Sequence, residues 1–242
     1  VLTKLSFLPS AITFNLMLSA ISALSFVSAF SIGANLIHSY VILSKRSASK
    51  DPMNYKKFVV FIGGLITAFI LNFAGNLHTT YLFFKPYPNE SPVPFWQLIF
   101  SPLTFPNSYW YPNATRFIEN TIHEFPLYSY VVSDLHGHVL DIPFVLLTIA
   151  VLLSLFFKSK LEIGNWKLEI PLISFLLAVM YMTNAWDGLI YLLLTAIVIF
   201  TIRLKSATKN KKYILHTMYY ILLVFVGFFI FSLPFNLNFK PF

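Results

Sequence analysis

Cysteine is absent from this chain of 242 residues, and charged side chains make up only 11% of it. The absence of cysteine excludes disulfide bonds and thiolate metal sites. The scarcity of charge excludes an ordinary soluble domain, which carries about 25% charged residues. Because 57% of the residues are hydrophobic, a fold of this length cannot hide its apolar surface from water, and we expect lipid to surround it.

Acidic residues are especially few, with nine against 17 basic residues, which gives a net charge of +8. A nucleic-acid-binding protein would spread its basic side chains over one polar face, among aromatic residues. Here 13 of the basic residues lie in short segments between apolar runs, at 45–57, 157–168 and 203–212. This placement is typical of cytoplasmic loops, so we predict a membrane protein without a nucleic-acid partner.

Long apolar runs predict an all-α fold, a polytopic transmembrane helical bundle, because a helix needs about 20 apolar residues to cross a bilayer. The run from 170 to 202 is interrupted by TNAWDG (183–188), and only a reversal there brings all three basic segments to the cytoplasmic side. Pro234 is expected to close the last span. The prediction is one domain over 1–242 with six spans, at about 11–43, 58–84, 139–157, 168–184, 188–202 and 213–233.

The longest connection, 85–138, is rich in proline and aromatic residues. We therefore expect a non-cytoplasmic outer loop of short helices and turns along the surface of the plasma membrane. The sequence begins in an apolar pattern at Val1 and stops at Phe242 without a terminating signal. On that basis we expect a fragment of a longer multi-pass protein.

Most acidic residues and histidines fall in or beside the predicted outer segments, which suggests a site because charge is costly in an apolar protein. The densest motif is SDLHGH (133–138). In an extended segment Asp134, His136 and His138 point the same way, so they can converge on a divalent metal ion or a phosphate. Gly137 allows close approach of the backbone. Alternatively, the first residues of the motif cap the following helix and the histidines lie at the interface.

Further candidate residues lie outside the SDLHGH motif. Glu124 stands just before a proline-fixed turn and can act as a catalytic base or a ligand. Arg116 is the one arginine outside the basic segments, and its guanidinium group suits a lipid phosphate or an interfacial anchor. Trp110 and Trp186 are candidates for stacking against a sugar ring or a polyprenyl chain.

Asn184 and Asp187 belong to the interrupting TNAWDG segment, within or near the bilayer. An unpaired carboxylate is expensive there, so Asp187 must be wetted, paired or protonated. Two interpretations stay open for this pair. The side chains either contact a substrate or satisfy free backbone N–H groups at a helix end.

Five motifs follow one another along the chain in this order: GNLHTTY (75–81), SYWYPNATRFI (108–118), TIHEFPLYSYVVSDLHGHVLDIPF (121–144), TNAWDG (183–188) and LPFNLNFKPF (233–242). Together they resemble the YYY-domain family of archaeal and bacterial membrane proteins, over essentially the whole chain. Each motif alone is weak, but the ordered set is fairly specific. The chain departs from the family in having Gly137 where a proline is common, and it lacks the tyrosine motif itself.

The YYY-domain family is grouped with the GT-C glycosyltransferases, multi-spanning enzymes that transfer a sugar from a polyprenyl-phosphate donor on the outer face of the membrane. The resemblance therefore implies a membrane glycosyltransferase whose partners are the lipid bilayer and a polyprenyl-phosphate-linked sugar. The first outer loop, in which GT-C enzymes usually keep a catalytic acidic residue, is not in this sequence. The motif positions that carry over by resemblance are Glu124, Asp134, His136, His138, Asn184, Asp187 and Arg116. With the candidates from side-chain chemistry, we predict catalysis by Glu124 and Asp134, metal binding by Asp134, His136 and His138, and substrate binding by Arg116, Trp110, Asn184, Trp186 and Asp187.

Two other functions remain open from the sequence. In a transporter of a polar or lipid-linked solute, Asp187 and the interrupted run from 170 to 202 would form a binding site at the middle of the membrane. Such a protein is expected to show an inverted repeat, which is not evident. A structural membrane subunit without catalysis would leave the outer acidic residues and histidines scattered.

Overall fold

The computed structural model describes residues 2–43, 53–75, 115, 120, 122–157, 166, 168–206 and 211–240. These residues are largely helical and include no strand, which confirms the predicted all-α class. In chain order the helices are α1 (Leu2–Ser6), α2 (Ser10–Leu43), α3 (Met53–Phe73), α4 (Pro126–Val131), α5 (Gly137–Phe157), α6 (Glu169–Thr183), α7 (Ala185–Ser206) and α8 (Lys211–Asn238).

Five of the described helices, α2, α3, α5, α7 and α8, are long and apolar enough to cross a membrane. The apolar helix α6 has only 15 residues, which at 1.5 Å per residue gives about 22 Å, against about 30 Å for the hydrocarbon core. Its two ends nevertheless fall near those of the predicted short span 168–184. A helix of this length needs its neighbours to shield its ends from lipid.

Two helices end at places other than those predicted. The span predicted over 58–84 corresponds to α3, which ends at Phe73, and residues 76–84 lie outside the described part of the chain. The last helix, α8, does not stop at Pro234 but continues to Asn238. Proline removes one backbone donor, but hydrogen bonding resumes beyond it, with the Phe239 N–H donating to the Phe235 carbonyl over 2.7 Å.

The chain divides into two units, the first formed by residues 1–68 and 135–242 and the second by residues 69–134. In the first unit α6 is the central helix and packs against α5, α7 and α8, while α2 packs against α5. Ile173 and Leu177 of α6 are fully buried against Ile199 of α7 and Val224 of α8. The apolar core of the first unit therefore surrounds α6.

Small residues set the close contacts between helices in the first unit. A Cβ atom at Gly227 of α8 would lie 2.6 Å from Oγ of Ser174 on α6. The same hydroxyl lies 2.8 Å from the Ile170 carbonyl and 3.2 Å from the Val224 carbonyl of α8. Helices in lipid gain little from the hydrophobic effect between them, so close backbone approach and interhelical hydrogen bonds hold α6 and α8 together.

The outer faces of the long helices carry large apolar side chains. Examples from α7 and α8 are Leu193, Ile197, Leu222, Phe229 and Ile230, all of which are exposed. An apolar surface of this extent is incompatible with water. We therefore expect lipid to cover the apolar side chains that the fold leaves exposed.

In the second unit, α4 begins at Pro126, and a residue in the left-handed backbone conformation follows its end. Ser133 has φ 57°, and the Asp134 N–H donates to the Ser129 carbonyl over 2.8 Å. This is the hydrogen bond of a Schellman motif, in which the left-handed residue terminates the preceding helix. The start of SDLHGH therefore closes α4, whereas one interpretation of the sequence had it capping the next helix.

Candidate functional site

Two glycines bring three helix ends together in the first unit. Gly137 begins α5, and a Cβ atom there would collide with the carbonyl oxygen of Thr183, the last residue of α6. Gly188 lies in the first turn of α7, where a Cβ atom would lie 2.5 Å from Cβ of Tyr181 on α6. Because glycine leaves this room, the backbones of α5 and α7 directly approach the end of α6.

A single extended residue separates α6 from α7. Asn184 has φ −142° and ψ 105°, and its N–H donates to the Met180 carbonyl over 2.7 Å. Its own carbonyl accepts a hydrogen bond from the Gly188 N–H at 3.3 Å, so helical hydrogen bonding resumes at once. The break lies inside the TNAWDG segment and leaves the Thr183 and Asp187 side chains at the same end of the bundle as the start of α5.

Asp141 is the most unusual side chain at this junction. It lies in the second turn of α5, with 0% of its surface exposed. Its Oδ1 atom lies 3.3 Å from the Thr183 hydroxyl, whose single hydrogen is also directed to the Val179 carbonyl on α6. Its Oδ2 atom is buried and receives no hydrogen bond from an N–H or hydroxyl group of the described residues, and a hydrogen bond to the Asp187 carboxyl forms only when one of the two groups holds a proton. A buried carboxyl oxygen without a partner is costly, so this atom is a natural candidate for binding something else.

Asp187 is the second carboxyl group of the junction. It lies in the first turn of α7, is half-buried, and accepts a hydrogen bond from Asn184 Nδ2 at 2.7 Å. It is close enough to act electrostatically on Asp141, and both carboxyl groups act on the Tyr191 hydroxyl one turn further along α7. Among the described residues, no cationic side chain is found acting on Asp141.

The two carboxyl groups cannot both keep an uncompensated charge in this position. Like charges at close range disfavour ionisation, and burial adds to the cost. The pair must therefore share a proton, hold a cation or meet a charged ligand. We define the junction as Asp141, Thr183, Asn184 and Asp187. Because each of these three outcomes involves a bound proton, ion or ligand, the junction is the strongest candidate site in the first unit.

Of the predicted substrate contacts, Asn184 and Asp187 are thus brought together at the junction. Trp186 lies between them in the sequence, and 74% of its side chain is exposed. Its ring is free of the helix packing and is available to a ligand or to the membrane interface. The hydrogen bond from Asn184 to Asp187 in the first helical turn also fits the capping interpretation, so the junction supports both.

The three predicted metal ligands divide between the two units. Asp134 is the last residue of the second unit, whereas His136 and His138 belong to the first. The two imidazole rings lie 5.9 Å apart, and the His136 carbonyl accepts the N–H groups of Val139 and Leu140 at the start of α5. Convergence of the three side chains on one metal ion stays a prediction.

Glu124 belongs to the second unit, where it is exposed and lies just before α4. Its neighbour His123 donates its N–H to the Thr115 carbonyl at 2.9 Å, and Phe125 lies against Gly75. The Tyr130 hydroxyl donates a hydrogen bond to Oδ1 of the buried Asn72, with 3.5 Å between the two oxygens. These contacts fix the segment that carries Glu124, while the catalytic role of Glu124 stays a prediction.

The remaining predicted contacts, Arg116 and Trp110, lie outside the described residues. Asp141, in contrast, was given no role by the sequence analysis. The available signal was an acidic residue within an apolar helix of 21 residues, which marks a functional position in a membrane. This signal is easily overlooked, because Asp141 lies only three residues after the SDLHGH motif and therefore resembles one more outer polar residue.

Five helices of spanning length, apolar outer faces and a polar junction define an integral multi-pass membrane protein. The chain belongs to the family described as Uncharacterized membrane protein (DUF2298), whose model matches residues 1–242. No curated protein and no solved structure matches the chain. The family establishes the membrane class and leaves the activity to be argued from the site.

Proposed function

We propose that the protein is a membrane glycosyltransferase of the GT-C type, which transfers a sugar from a polyprenyl-phosphate donor on the non-cytoplasmic face. The observation that carries the proposal is the carboxyl pair of Asp141 and Asp187, placed where three apolar helices end. Carboxyl groups are costly at such a place unless they serve a purpose. The resemblance of the ordered motifs to the YYY-domain family supplies the reaction class.

The position of the pair along the helices supports an outer active site. Asp141 lies near the start of α5 and Asp187 near the start of α7, whereas the basic segments 157–168 and 203–212 lie at the opposite ends of these helices. Basic segments are retained on the cytoplasmic side. In this proposal the pair lies on the outer face, where the polyprenyl-phosphate donors of GT-C enzymes react.

Glycosyl transfer from a lipid phosphate needs a base for the acceptor hydroxyl, compensation of the phosphate charge and exclusion of water. In this proposal Glu124 and Asp134 are the catalytic carboxylates, with Glu124 as the base, and Arg116 binds the donor phosphate. Trp110 and Trp186 contact the sugar or the polyprenyl chain. The junction around Asp141 is an additional anionic centre that the resemblance alone does not provide.

The test is transfer of a labelled sugar from a polyprenyl phosphate by the full-length protein in lipid nanodiscs. Asp187→Asn keeps the size of the side chain and removes its charge, so we expect the initial rate to fall by about 100- to 10,000-fold. Glu169→Gln is the matched control, because Glu169 begins α6 at the end away from the junction. Full turnover by both Asp187→Asn and Asp141→Asn would remove the junction from the mechanism.

A transporter is the second candidate, and a specific observation favours it. A helix break beside buried carboxyl groups is also how transporters form ion and substrate sites. The break at Asn184 and the buried Asp141 have these features. Uptake of a labelled lipid-linked sugar into proteoliposomes, without a change in the sugar's chemical linkage, would favour transport over transfer.

A further inference from the structure

Helix packing leaves one buried atom of the junction unexplained. The Asp141 side chain is fully buried, and its Oδ2 atom receives no hydrogen bond from an N–H or hydroxyl group of the described residues. The nearby ionisable group is another carboxyl, Asp187, which also accepts hydrogen bonds when ionised. Asp187 acts on Asp141 through its charge and through a side-chain hydrogen bond, and a hydrogen bond between two carboxyl groups requires a proton on one of them. A cation bound by the two groups is the alternative to that proton.

The charge of the pair indicates which species fits. Both residues together carry a formal charge of −2, and no cationic side chain of the described residues is found acting on Asp141. One shared proton would remove one negative charge and leave the other on the pair, of which Asp187 is the half-buried member. A divalent cation balances both charges, so it satisfies the pair more completely.

The donor atoms around the pair also favour such an ion. They are the carboxyl groups of Asp141 and Asp187, the Thr183 hydroxyl and the amide of Asn184, whose nitrogen already donates to Asp187. Oxygen ligands without thiolate or imidazole select hard cations such as Mg²⁺, Mn²⁺ and Ca²⁺. Asp187 is only half-buried, so an ion and a further oxygen ligand can reach the pair from outside the bundle.

We propose that Asp141 and Asp187, assisted by the Thr183 hydroxyl, bind one divalent cation of the Mg²⁺ or Mn²⁺ class where α5, α6 and α7 meet. This site uses none of the three residues that the sequence assigns to a metal. Binding of the ion stands on the geometry of the junction, whereas its role rests on the proposed function. In a glycosyltransferase the ion compensates the charge of the departing phosphate.

The experiment is a titration of the full-length protein with Mn²⁺ alone, in nanodiscs and after treatment with a chelator. Free Mn²⁺ is followed by electron paramagnetic resonance. We expect a tightly bound Mn²⁺ that binds at least about 100-fold more weakly in Asp141→Asn and Asp187→Asn, and about 10-fold more weakly in Thr183→Val. Glu169→Gln, at the other end of α6, is expected to bind Mn²⁺ like the unaltered protein.

Folding is checked by circular dichroism and thermal unfolding of the same samples. Asp141→Asn is expected to fold, because the amide keeps the size of the side chain and removes the repulsion from Asp187. Mn²⁺ is expected to raise the Tm of the unaltered protein but not of this variant, since an ion that binds the native state stabilises it.

Two results would overturn the cation site. The first is no Mn²⁺ binding by the unaltered protein together with an infrared band of a protonated carboxyl that disappears in Asp141→Asn, which shows a shared proton. The second is Mn²⁺ binding that survives both aspartate substitutions and is lost in His136→Ala. Bound Mn²⁺ without any sugar transfer would contradict the proposed function and leave the cation site standing.

Discussion

The two ends of the α5–α7 bundle differ in what holds them together. Around the middle of α6 and towards its start, fully buried apolar side chains such as Ile173 and Leu177 pack against α7 and α8. At the other end, backbone approaches at Gly137 and Gly188 surround two carboxyl groups. The apolar region provides stability, whereas the two carboxyl groups of the polar junction lower stability unless a proton, a cation or a ligand compensates their charge.

The largest expected effect concerns activity at the polar residues. Asp134→Ala and His136→Ala are predicted to lower sugar transfer by about 100- to 10,000-fold without unfolding the protein, because each removes a group assigned to the chemistry. The measurement is the transfer rate of the full-length protein beside its circular dichroism spectrum. Full turnover in both variants would remove these residues from the mechanism.

The apolar region is predicted to behave in the opposite way. Leu177→Ala leaves a cavity next to Ile199 and Val224, so we expect a loss of about 2–5 kcal/mol in the free energy of unfolding. Unfolding in mixed micelles measures this loss. Mn²⁺ affinity of the folded fraction is expected to stay unchanged, and a parallel loss of affinity would show that the two regions are not separable.

The junction glycines sharpen the comparison. Gly137→Ala places a methyl group against the Thr183 carbonyl, which belongs to backbone and cannot rotate away. We expect a loss of about 1–3 kcal/mol in stability and a weaker Mn²⁺ site, because α5 must shift and carry Asp141 with it. Gly227→Ala is the control, since its methyl group meets Oγ and Cβ of Ser174 away from the junction, so it should also lower stability but leave Mn²⁺ affinity unchanged. Equal Mn²⁺ affinity in both variants would argue against backbone positioning of Asp141.

The smallest effect is expected from the hydroxyl between α6 and α8. Ser174→Ala removes the contact to the Val224 carbonyl, and interhelical hydrogen bonds of this kind contribute about 0.6 kcal/mol in a membrane. The unfolding free energy in mixed micelles reports the change. A loss several times larger would mean that α6 depends on this contact more than on its apolar core.

The fold class could be predicted because its cause is local: apolar runs of spanning length and basic segments are read directly from the sequence. The course of α8 beyond Pro234 could not, because whether a helix tolerates a proline depends on the residues that pack around it. Within the site, Asn184 and Asp187 were identified from an interrupted apolar run. Asp141 was missed as a partner, because its proximity to Thr183 arises from packing of α5 on α6, which has no signature in the sequence.

The shortness of α6 has a consequence for how the protein is made. A helix of 15 residues beginning with Glu169 is too short to be a good transmembrane segment on its own. It is followed after one residue by the longer α7, so the two are suited to entering the bilayer together as a hairpin. A nascent chain stopped just after Thr183 is then expected to leave α6 outside the membrane, and insertion is completed only when α7 has emerged from the ribosome.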